Sequence, residues 1–326
     1  MRPTINYISY SGYRTHETCP SQYWHSYINK TKVLGAPENV LGSVFGSMTG
    51  TIFEEFYVGK MWRSRDVVKN LQDLVPSHYN RILTDSKRKG QVIDFSVENS
   101  PYPNKEALFR DVRDTIEGGI QTIKEHRFVG EDAAAEVKLD TKFGDYTVAG
   151  RLDFSMTRLH YNDEVILDGK GSKHRAKYLD VKPLPDPFST PKGDQLQLYG
   201  ALYHKKFGRY VDGLGYIFWK FRGSEAVTWV HWTPDTLEET LTRVLGTLHK
   251  IDKNATLVSR KSGKTRLELI EELFPTKTGY HCKLCAYHTV CDDGTKQVAA
   301  LEATEAARKR EPLPEGDLSL GLPTDI

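Results

Sequence analysis

Runs of hydrophobic residues divide the chain into helical regions towards both ends and a strand-rich middle. Residues 8–30 place aromatic side chains at helical spacing, and residues 43–60 combine a glycine-rich turn with a helix that has a buried aromatic side. Further helices are predicted near 64–75 and 104–126. The intervening segment 86–104, rich in Ser, Lys, Asn and Pro, is predicted to be a surface loop.

The middle of the chain alternates as β-strands do and then returns to helical spacing. The pattern predicts a hairpin of Ala134–Asp140 with Tyr146–Met156, a strand over Glu164–Lys170, a proline-containing loop over 173–193, a helix over Asp194–Phe207, a hairpin of Leu214–Phe221 with Ala226–Trp232, and a helix that Thr233 caps and Pro234 begins.

These shifts in pattern divide the chain into five predicted segments. They are an N-terminal segment (1–42) with one cysteine, a helical region (43–130), a strand-rich core (131–255), a segment with three cysteines (256–295) and a flexible tail rich in Ala, Glu, Arg and Pro (296–326).

Composition limits the possible function classes only loosely. The 326 residues can bury a sizeable core, and the formal net charge of +2 means that nucleic-acid contact must come from local basic patches. No apolar run has the form of a signal peptide or a membrane span, so a cytoplasmic protein is expected.

Polar residues fall where two predicted strands end. Asp153 lies in Gly150-Arg151-Leu152-Asp153, and Asp168 and Lys170 lie in Asp168-Gly169-Lys170. Neighbouring strands can bring both carboxylates to one hard divalent cation, with the Gly169 carbonyl as a further oxygen ligand. Lys170 lies on the same side of its strand as Asp168, where an ammonium can orient a water or offset charge on a phosphate.

The four cysteines are divided one plus three along the chain. Cys19 precedes Pro20, and the others form a C-x2-C-x5-C run of Cys282, Cys285 and Cys291. In a reducing compartment this pattern favours a soft-metal site that joins the two ends, and four thiolates can hold zinc or an iron–sulfur cluster. The plainer alternative is a set of unrelated buried thiols.

Together these motifs resemble the PD-(D/E)XK nuclease superfamily. Asp153 matches its first acidic motif, Asp168-Gly169-Lys170 its (D/E)XK motif, and Gln195-Leu196-Gln197-Leu198-Tyr199 the Q-x3-Y helix of RecB-like members. With the split cysteines, the chain is similar to RecB-like exonucleases that carry a four-cysteine cluster, such as AddB and the CRISPR-associated RecB-like nucleases. The resemblance covers about residues 9–293.

The resemblance implies an α/β fold, a mixed central sheet flanked by helices with added helical regions. It implies Mg2+- or Mn2+-dependent hydrolysis of DNA phosphodiesters, at single strands or DNA ends, with a structural [4Fe–4S] cluster joining the termini. Asp153 and Asp168 would bind the divalent cation, Lys170 would position and stabilise charge, and Gln195 and Tyr199 would support the water or the DNA backbone.

One position departs from the family pattern. RecB-like members place a metal-binding His in the first core helix, where this chain has Gly50 in Phe45-Gly46-Ser47-Met48-Thr49-Gly50. Glu54 or Glu55 can take that role, or fewer side chains hold the metal, and Glu136 is a further candidate ligand. Loss of an imidazole favours Mg2+ over Mn2+.

Contacts to DNA are expected from residues that leave the active strand. Lys173, Arg175 and Lys177 are the predicted phosphate-binding group. Aromatic residues such as Tyr10, Tyr13, Trp24 and Trp219 can stack on unpaired bases, although most of them are expected in the core. A helicase or recombination partner is also expected, because no phosphate-binding G-x4-G-K-[ST] loop is present.

Two other functions fit the same motifs. The first is a DNA-end-binding subunit of a repair or recombination complex that cleaves weakly or not at all, which the missing His favours. The second is a zinc-stapled interaction protein, which predicts a colourless preparation.

Overall fold

The computed structural model of the protein describes residues 4–32, 39–97, 100–171 and 193–310. The chain forms two compact units. The first consists of Met1–Arg14 and Gly35–Thr256, and the second of Thr15–Leu34 and Leu257–Ile326. Among the described residues, no helix combines the length and the apolar character that crossing a bilayer requires.

Helices and strands follow one another in the order that the sequence pattern predicts for most of the chain. The strands are β1 (Tyr7–Ser9), β2 (Ala134–Lys138), β3 (Thr141–Phe143), β4 (Tyr146–Ala149), β5 (Arg151–Thr157), β6 (Glu164–Lys170), β7 (Gly213–Phe218) and β8 (Val227–Trp229). The helices are α1 (Tyr10–Thr18), α2 (Pro20–Tyr23), α3 (Leu41–Val58), α4 (Val67–Asp73), α5 (Val75–Arg88), α6 (Lys105–Glu125), α7 (Asp194–Phe207), α8 (Pro234–Ser259), α9 (Gly263–Leu273) and α10 (Asp292–Arg310).

The main sheet of the first unit is mixed. Its described strands have the order β2-β5-β6-β7-β8. Neighbouring strands are antiparallel except β6 and β7, which are parallel. Parallel strands need a crossover connection, and α7 lies between these two in the chain. The predicted α/β class, a mixed sheet flanked by helices, is confirmed.

A second sheet has the order β1-β4-β3 in the described part of the chain. The predicted hairpin of Ala134–Asp140 with Tyr146–Met156 is present, and its turn contains Gly144, where φ is +61°. The hairpin is divided between the two sheets, because β3 pairs with β4 near the turn and β2 pairs with β5 further along, in the same antiparallel register. The short strand β1 was not predicted, and it runs parallel to β4.

Helices cover both faces of the main sheet. Buried side chains of α3, α4, α5 and α6 form one core with β5, β6 and β7. On the other face, α7 packs against β6 and β7. A Cβ at Gly200 would lie 3.1 Å from Leu214 and 3.3 Å from Leu237, so α7 also packs closely against α8.

An aromatic stack supports the strand that carries the predicted metal ligands. Phe53 of α3 and Trp219, which follows β7, stack with ring centroids 3.9 Å apart. A Cβ at Gly169 would lie 2.7 Å from Trp219 Nε1, so only glycine lets the indole approach β6 this closely. Gly119 of α6 borders the same stack, because its Cβ would lie 2.3 Å from Phe53.

The second unit is helical in its described residues. Residues of α2 and of the wide turn Trp24–Ile28 pack against the segment that follows α9. The rings of Trp24 and Phe274 are 5.0 Å apart, and Ser21 N–H donates to the Pro275 carbonyl at 3.3 Å. Helix α10 reaches Arg310, where composition favours a flexible tail, because its Ala and Glu residues are strong helix formers.

We predict opposite effects from adding one methyl group at two helical glycines. Gly119→Ala should destabilise the protein by about 1–3 kcal/mol, because it overpacks the Phe53–Trp219 stack. Gly246→Ala is the control, since a Cβ at this exposed position of α8 meets no atom within 4 Å. It should stabilise the helix by about 0.5–1 kcal/mol. Urea unfolding measures both, and equal effects of the two substitutions would contradict the close packing at Gly119.

Candidate active site

Two aspartates face each other across the β5–β6 ladder. Phe154 pairs with Leu167 in this antiparallel register, which places Asp153 opposite Asp168. Side chains alternate along β5, so Leu152 and Phe154 are buried on one face while Asp153 lies on the other. Asp168 is only 1% exposed, and Asp153 is half-buried. The local strand pattern therefore sets two carboxylates side by side in a poorly solvated place.

The pKa values of both carboxyl groups are displaced upwards. Burial raises the pKa of Asp153 to about 7, and the Asp168 charge adds to this, while the Gly169 N–H and the Lys170 charge oppose it. Burial also raises the pKa of Asp168, against the charge and hydrogen bond of Lys170. Burial and the nearby like charge both disfavour the ionised form of the two carboxyl groups. An additional positive charge beside them would therefore stabilise that form.

Hydrogen bonds fix the orientation of both carboxylates. Gly169 N–H donates to Asp153 Oδ2 at 2.9 Å. Gln195 Nε2 on α7 donates to Asp168 Oδ1 at 2.9 Å and to the Tyr199 hydroxyl at 3.1 Å. Both N–H groups of the Gln195 amide are thereby used, which turns its Oε1 towards Lys170 Nζ at 3.4 Å. Gln195 and Tyr199 lie one turn apart on α7, so one helix face supplies this bridge.

Lys170 completes the polar group. Its ammonium forms an ion pair with Asp168 Oδ2, and it lies 5.5 Å from the centre of the Tyr216 ring. Oδ2 of Asp168 has no hydrogen bond of regular geometry to any described residue, although it contacts this ammonium. The structure thus brings together Asp153, Asp168, Lys170, Gln195 and Tyr199.

Glu136 lies beside this group in an unusual backbone conformation. By register it is opposite Asp153, and its φ of +54° is left-handed, which is rare for a residue other than glycine. Its carboxylate pairs with Arg151 at 2.7 Å. Burial raises the pKa of Glu136, and the Glu54 charge adds to this. Backbone strain of this kind concentrates at functional sites.

The two glutamates of α3 have different surroundings. Glu54 is close enough to Glu136 to affect its pKa. Glu55 instead faces α5, where its carboxylate lies 3.3 Å from buried His78 and 3.7 Å from Arg81. No contact of the described residues joins Glu55 to the aspartate pair. A Cβ at Gly50 meets no atom within 4 Å, so the space for the expected histidine is open.

A cavity of about 480 Å3 lies beside Asp153. Asp153, Gln195 and Tyr199 line it, together with Tyr7 of β1 and Arg151. Sequence reasoning missed Tyr7, because a strand of three residues gives too little alternation to detect. The predicted phosphate-binding residues Lys173, Arg175 and Lys177 lie outside the described residues.

The donor set fits a divalent cation held by two carboxylates. In the residues that the structure describes, no group of three or more His, Cys, Asp or Glu side chains is arranged to hold a metal ion. Mg2+ needs only one or two carboxylates, because waters and substrate phosphates fill its other positions. Because burial raises the pKa of both aspartates, a bound cation would stabilise their ionised forms.

The four cysteines meet in one pocket of the second unit. Cys19, Cys282, Cys285 and Cys291 all line it, and all are free thiols. Cys19 occupies the position before α2, which Pro20 begins. Burial raises the pKa of Cys285, and the three other thiols contribute to this. Gly294 N–H donates to Cys291 Sγ at 3.3 Å. Convergent thiols with an amide donor form a set that fits a thiolate-bound metal centre.

Comparison with known protein families identifies the superfamily of this chain. The model of the PD-(D/E)XK nuclease superfamily matches residues 7–292. No curated protein matches the chain. Among solved structures, a crystal structure of a "Putative exonuclease" from Eubacterium rectale is similar at a TM-score of 0.42 and 13% sequence identity, covering 77% of this chain and 82% of that one. The family match spans both sheets, the aspartate pair and the three C-terminal cysteines. The chain belongs to the PD-(D/E)XK nuclease superfamily.

Proposed function

We propose that this protein is a divalent-metal-dependent deoxyribonuclease of the RecB-like type, an exonuclease that acts on single-stranded DNA or DNA ends. The observation that supports it most directly is the convergence of Asp153, Asp168 and Lys170 with the Gln195–Tyr199 helix face. Membership of the superfamily supports the hydrolytic chemistry. The substrate class rests on the resemblance to RecB-like members.

Asp153 and Asp168 would hold Mg2+ or Mn2+, with the Gly169 carbonyl and Glu54 or Glu136 as further candidate ligands. When bound, the cation supplies an activated water and stabilises charge on the phosphate. Glu55 remains a weaker candidate because it pairs with His78 and Arg81.

Lys170 is the group suited to the reacting phosphate. Its ammonium is held near Asp168 by the ion pair and by Gln195 Oε1, so it is positioned before substrate arrives. A fixed positive charge in a poorly solvated site stabilises developing negative charge without reorganisation. Gln195 acts through other residues, since it orients Asp168 and Lys170 together, and the Tyr199 hydroxyl accepts the second amide proton.

We further propose that Cys19, Cys282, Cys285 and Cys291 hold a structural [4Fe–4S] cluster. Their common pocket supports a shared centre. The preference for a cluster over one zinc ion rests on the resemblance to RecB-like members, since zinc sites more often use two close C-x2-C pairs. Metal binding of this kind couples to folding, so the cluster would stabilise the second unit.

The nuclease proposal predicts loss of cleavage from single substitutions at the aspartate–lysine group. Asp168→Ala and Lys170→Ala should each lower the cleavage rate of labelled single-stranded DNA with Mg2+ or Mn2+ at least about 100-fold, because each removes a preorganised charge. Lys205→Ala is the matched control, since Lys205 also forms an ion pair, with Glu238 at 3.0 Å, on helix α7. The control should cleave normally.

Unchanged cleavage in both variants would contradict the proposal. Absence of cleavage by the cluster-loaded wild type, with binding retained, would favour the DNA-end-binding alternative.

The raised pKa of Asp153 predicts the effect of pH on stability without divalent cation. A folded pKa of about 7, above the ordinary carboxyl value, stabilises the fold at low pH. This contribution is lost as pH rises towards and through about 7. The melting temperature should therefore fall between about pH 5.5 and pH 7.5 more in the wild type than in Asp153→Asn, which cannot titrate.

Added Mg2+ should reverse this loss at the higher pH. Ligands that bind the folded state raise its stability, so Mg2+ should raise the melting temperature of the wild type and not that of Asp153→Asn. An equal Mg2+ effect on both proteins would place the cation elsewhere.

The cluster proposal predicts a brown protein after anaerobic purification, with thiolate-to-iron absorbance and bound iron and sulfide. Cys19→Ser and Cys291→Ser should each lose the colour and the iron. Ser21→Ala, which changes another residue lining the same pocket, should keep both. A colourless wild type that contains zinc would show that the thiols form a zinc site instead.

A further inference from the structure

We propose that Tyr7 is the stacking platform for an unpaired base of the bound strand, and that Lys138 and Arg151 bind the phosphates beside it. This inference rests on the proposed function and names the part of the nucleic acid that the site recognises. Tyr7 and Lys138 lie outside all of the sequence motifs that predict the site.

Tyr7 presents an exposed aromatic ring from a paired strand. It begins β1, in which Ile8 is buried at 1% exposure and Tyr7 is 52% exposed. The strand is held by parallel pairing with β4, where Tyr7 lies beside Thr147. The Tyr7 hydroxyl has no hydrogen-bond partner among the described residues, so nothing in the fold explains the exposed ring. A tyrosine side chain has only two χ angles, so it loses little conformational entropy when a base stacks on it.

Tyr7 lines the same cavity as three residues of the proposed active site. Tyr7, Asp153, Gln195 and Tyr199 all line this space of about 480 Å3. Its volume lies in the range of sites for small organic ligands, about 300–1,000 Å3. A nucleotide whose base lies on Tyr7 is therefore one or a few positions along the strand from the phosphate at the aspartate pair.

Two cations stand directly opposite each other at this cavity. Lys138 of β2 and Arg151 of β5 are partners across the antiparallel ladder, and both line the cavity. Like charges in this position destabilise a sheet unless an anion lies between them. Glu136 pairs with Arg151 at 2.7 Å, but in the described residues Lys138 has no acidic partner. Asp140 also lines the cavity. Burial raises the pKa of Tyr7, and the Asp140 charge adds to this.

The combination favours a single strand over a duplex. Bases in a duplex are already stacked on each other, and duplex binding relies on phosphate contacts and groove shape. Single-strand sites instead combine a basic groove with aromatic rings. Of the aromatic residues expected from the sequence to stack on bases, Tyr13, Trp24 and Trp219 are buried, and Tyr10 lines this cavity.

The test measures binding and not cleavage. Labelled short oligonucleotides, single-stranded or as a blunt duplex, are titrated with the cluster-loaded full chain in EDTA. Tyr7→Ala and Tyr7→Leu should weaken single-strand binding about 5- to 100-fold, the loss expected for one base stack, and should leave duplex binding within about twofold. Tyr7→Phe and Tyr7→Trp should bind single strands as the wild type does, because only the ring is needed.

Tyr161 provides a matched control. It is exposed to nearly the same extent, 54%, but lies in the turn between β5 and β6, at the end of the ladder remote from Asp168. Tyr161→Ala should bind normally. Lys138→Ala should weaken single-strand and duplex binding alike and reduce the salt dependence of binding by about one phosphate contact.

Equal single-strand affinity of Tyr7→Ala and the wild type would overturn the proposal, as would equal losses on single strands and duplex. Failure of the wild type to bind single strands at all would overturn it too. EDTA prevents metal-dependent cleavage, so the affinities of the Tyr7 variants test this proposal whether or not the protein is a nuclease. A protein that shows this pattern but cleaves no DNA would be a binding subunit.

Discussion

Two carboxylates buried side by side are the constraint on which the rest of the site depends. Asp153 and Asp168 are neighbours across the β5–β6 ladder, and Asp168 is almost fully removed from water. Ionising such a pair is unfavourable, because each charge loses solvent and repels the other. The fold offsets this in part through the Gly169 amide, the Gln195 amide and the Lys170 ammonium. A cation bound beside the two carboxylates would offset the remainder of this cost.

The packing behind the ladder explains how the fold tolerates this cost. Trp219 lies against Gly169, and Phe53 stacks on Trp219, so large aromatic surfaces anchor β6 from the side opposite the carboxylates. Helix α7 carries Gln195 and Tyr199 to the carboxylate side. Burial of apolar surface is non-directional and large, whereas the polar contacts are few and directional. The aromatic packing therefore provides stability, and the polar contacts determine where the charges point.

The sequence could predict the parts of this arrangement that depend on local pattern. The strand Glu164–Lys170, the helix Asp194–Phe207 and the spacing of Asp168 to Lys170 follow from alternation and helical periodicity, and the structure has them at those residues. The hairpin about Gly144 also pairs as predicted. Its division into two sheets at Gly150 was not predictable, because the side chains that approach Gly150 most closely, Leu202 and Tyr199, belong to α7, a helix much further along the chain.

Distant partners were likewise hidden from the sequence. Glu55 on α3 contacts His78 and Arg81 on α5. No periodic signal in the sequence links residues on these two helices. The convergence of four thiols was the exception, because cysteine is rare in this chain and its spacing is informative by itself. Their pocket agrees with the predicted grouping, whereas the amide that donates to Cys291 comes from Gly294, which no spacing rule identifies.

The region around Glu136 shows how the site's charges connect to its backbone. Glu136 keeps the left-handed φ of +54° in the middle of β2, where the ladder contacts on either side, Ala135 to Phe154 and Val137 to Leu152, are intact. Such a conformation costs about 1–3 kcal/mol and persists only where the surroundings fix it. The ion pair with Arg151 and the paired strand on both sides do so here. The strained residue thus lies two positions from Lys138 on β2 and opposite Asp153 on β5, so this ladder connects the Lys138–Arg151 cations to the carboxylates.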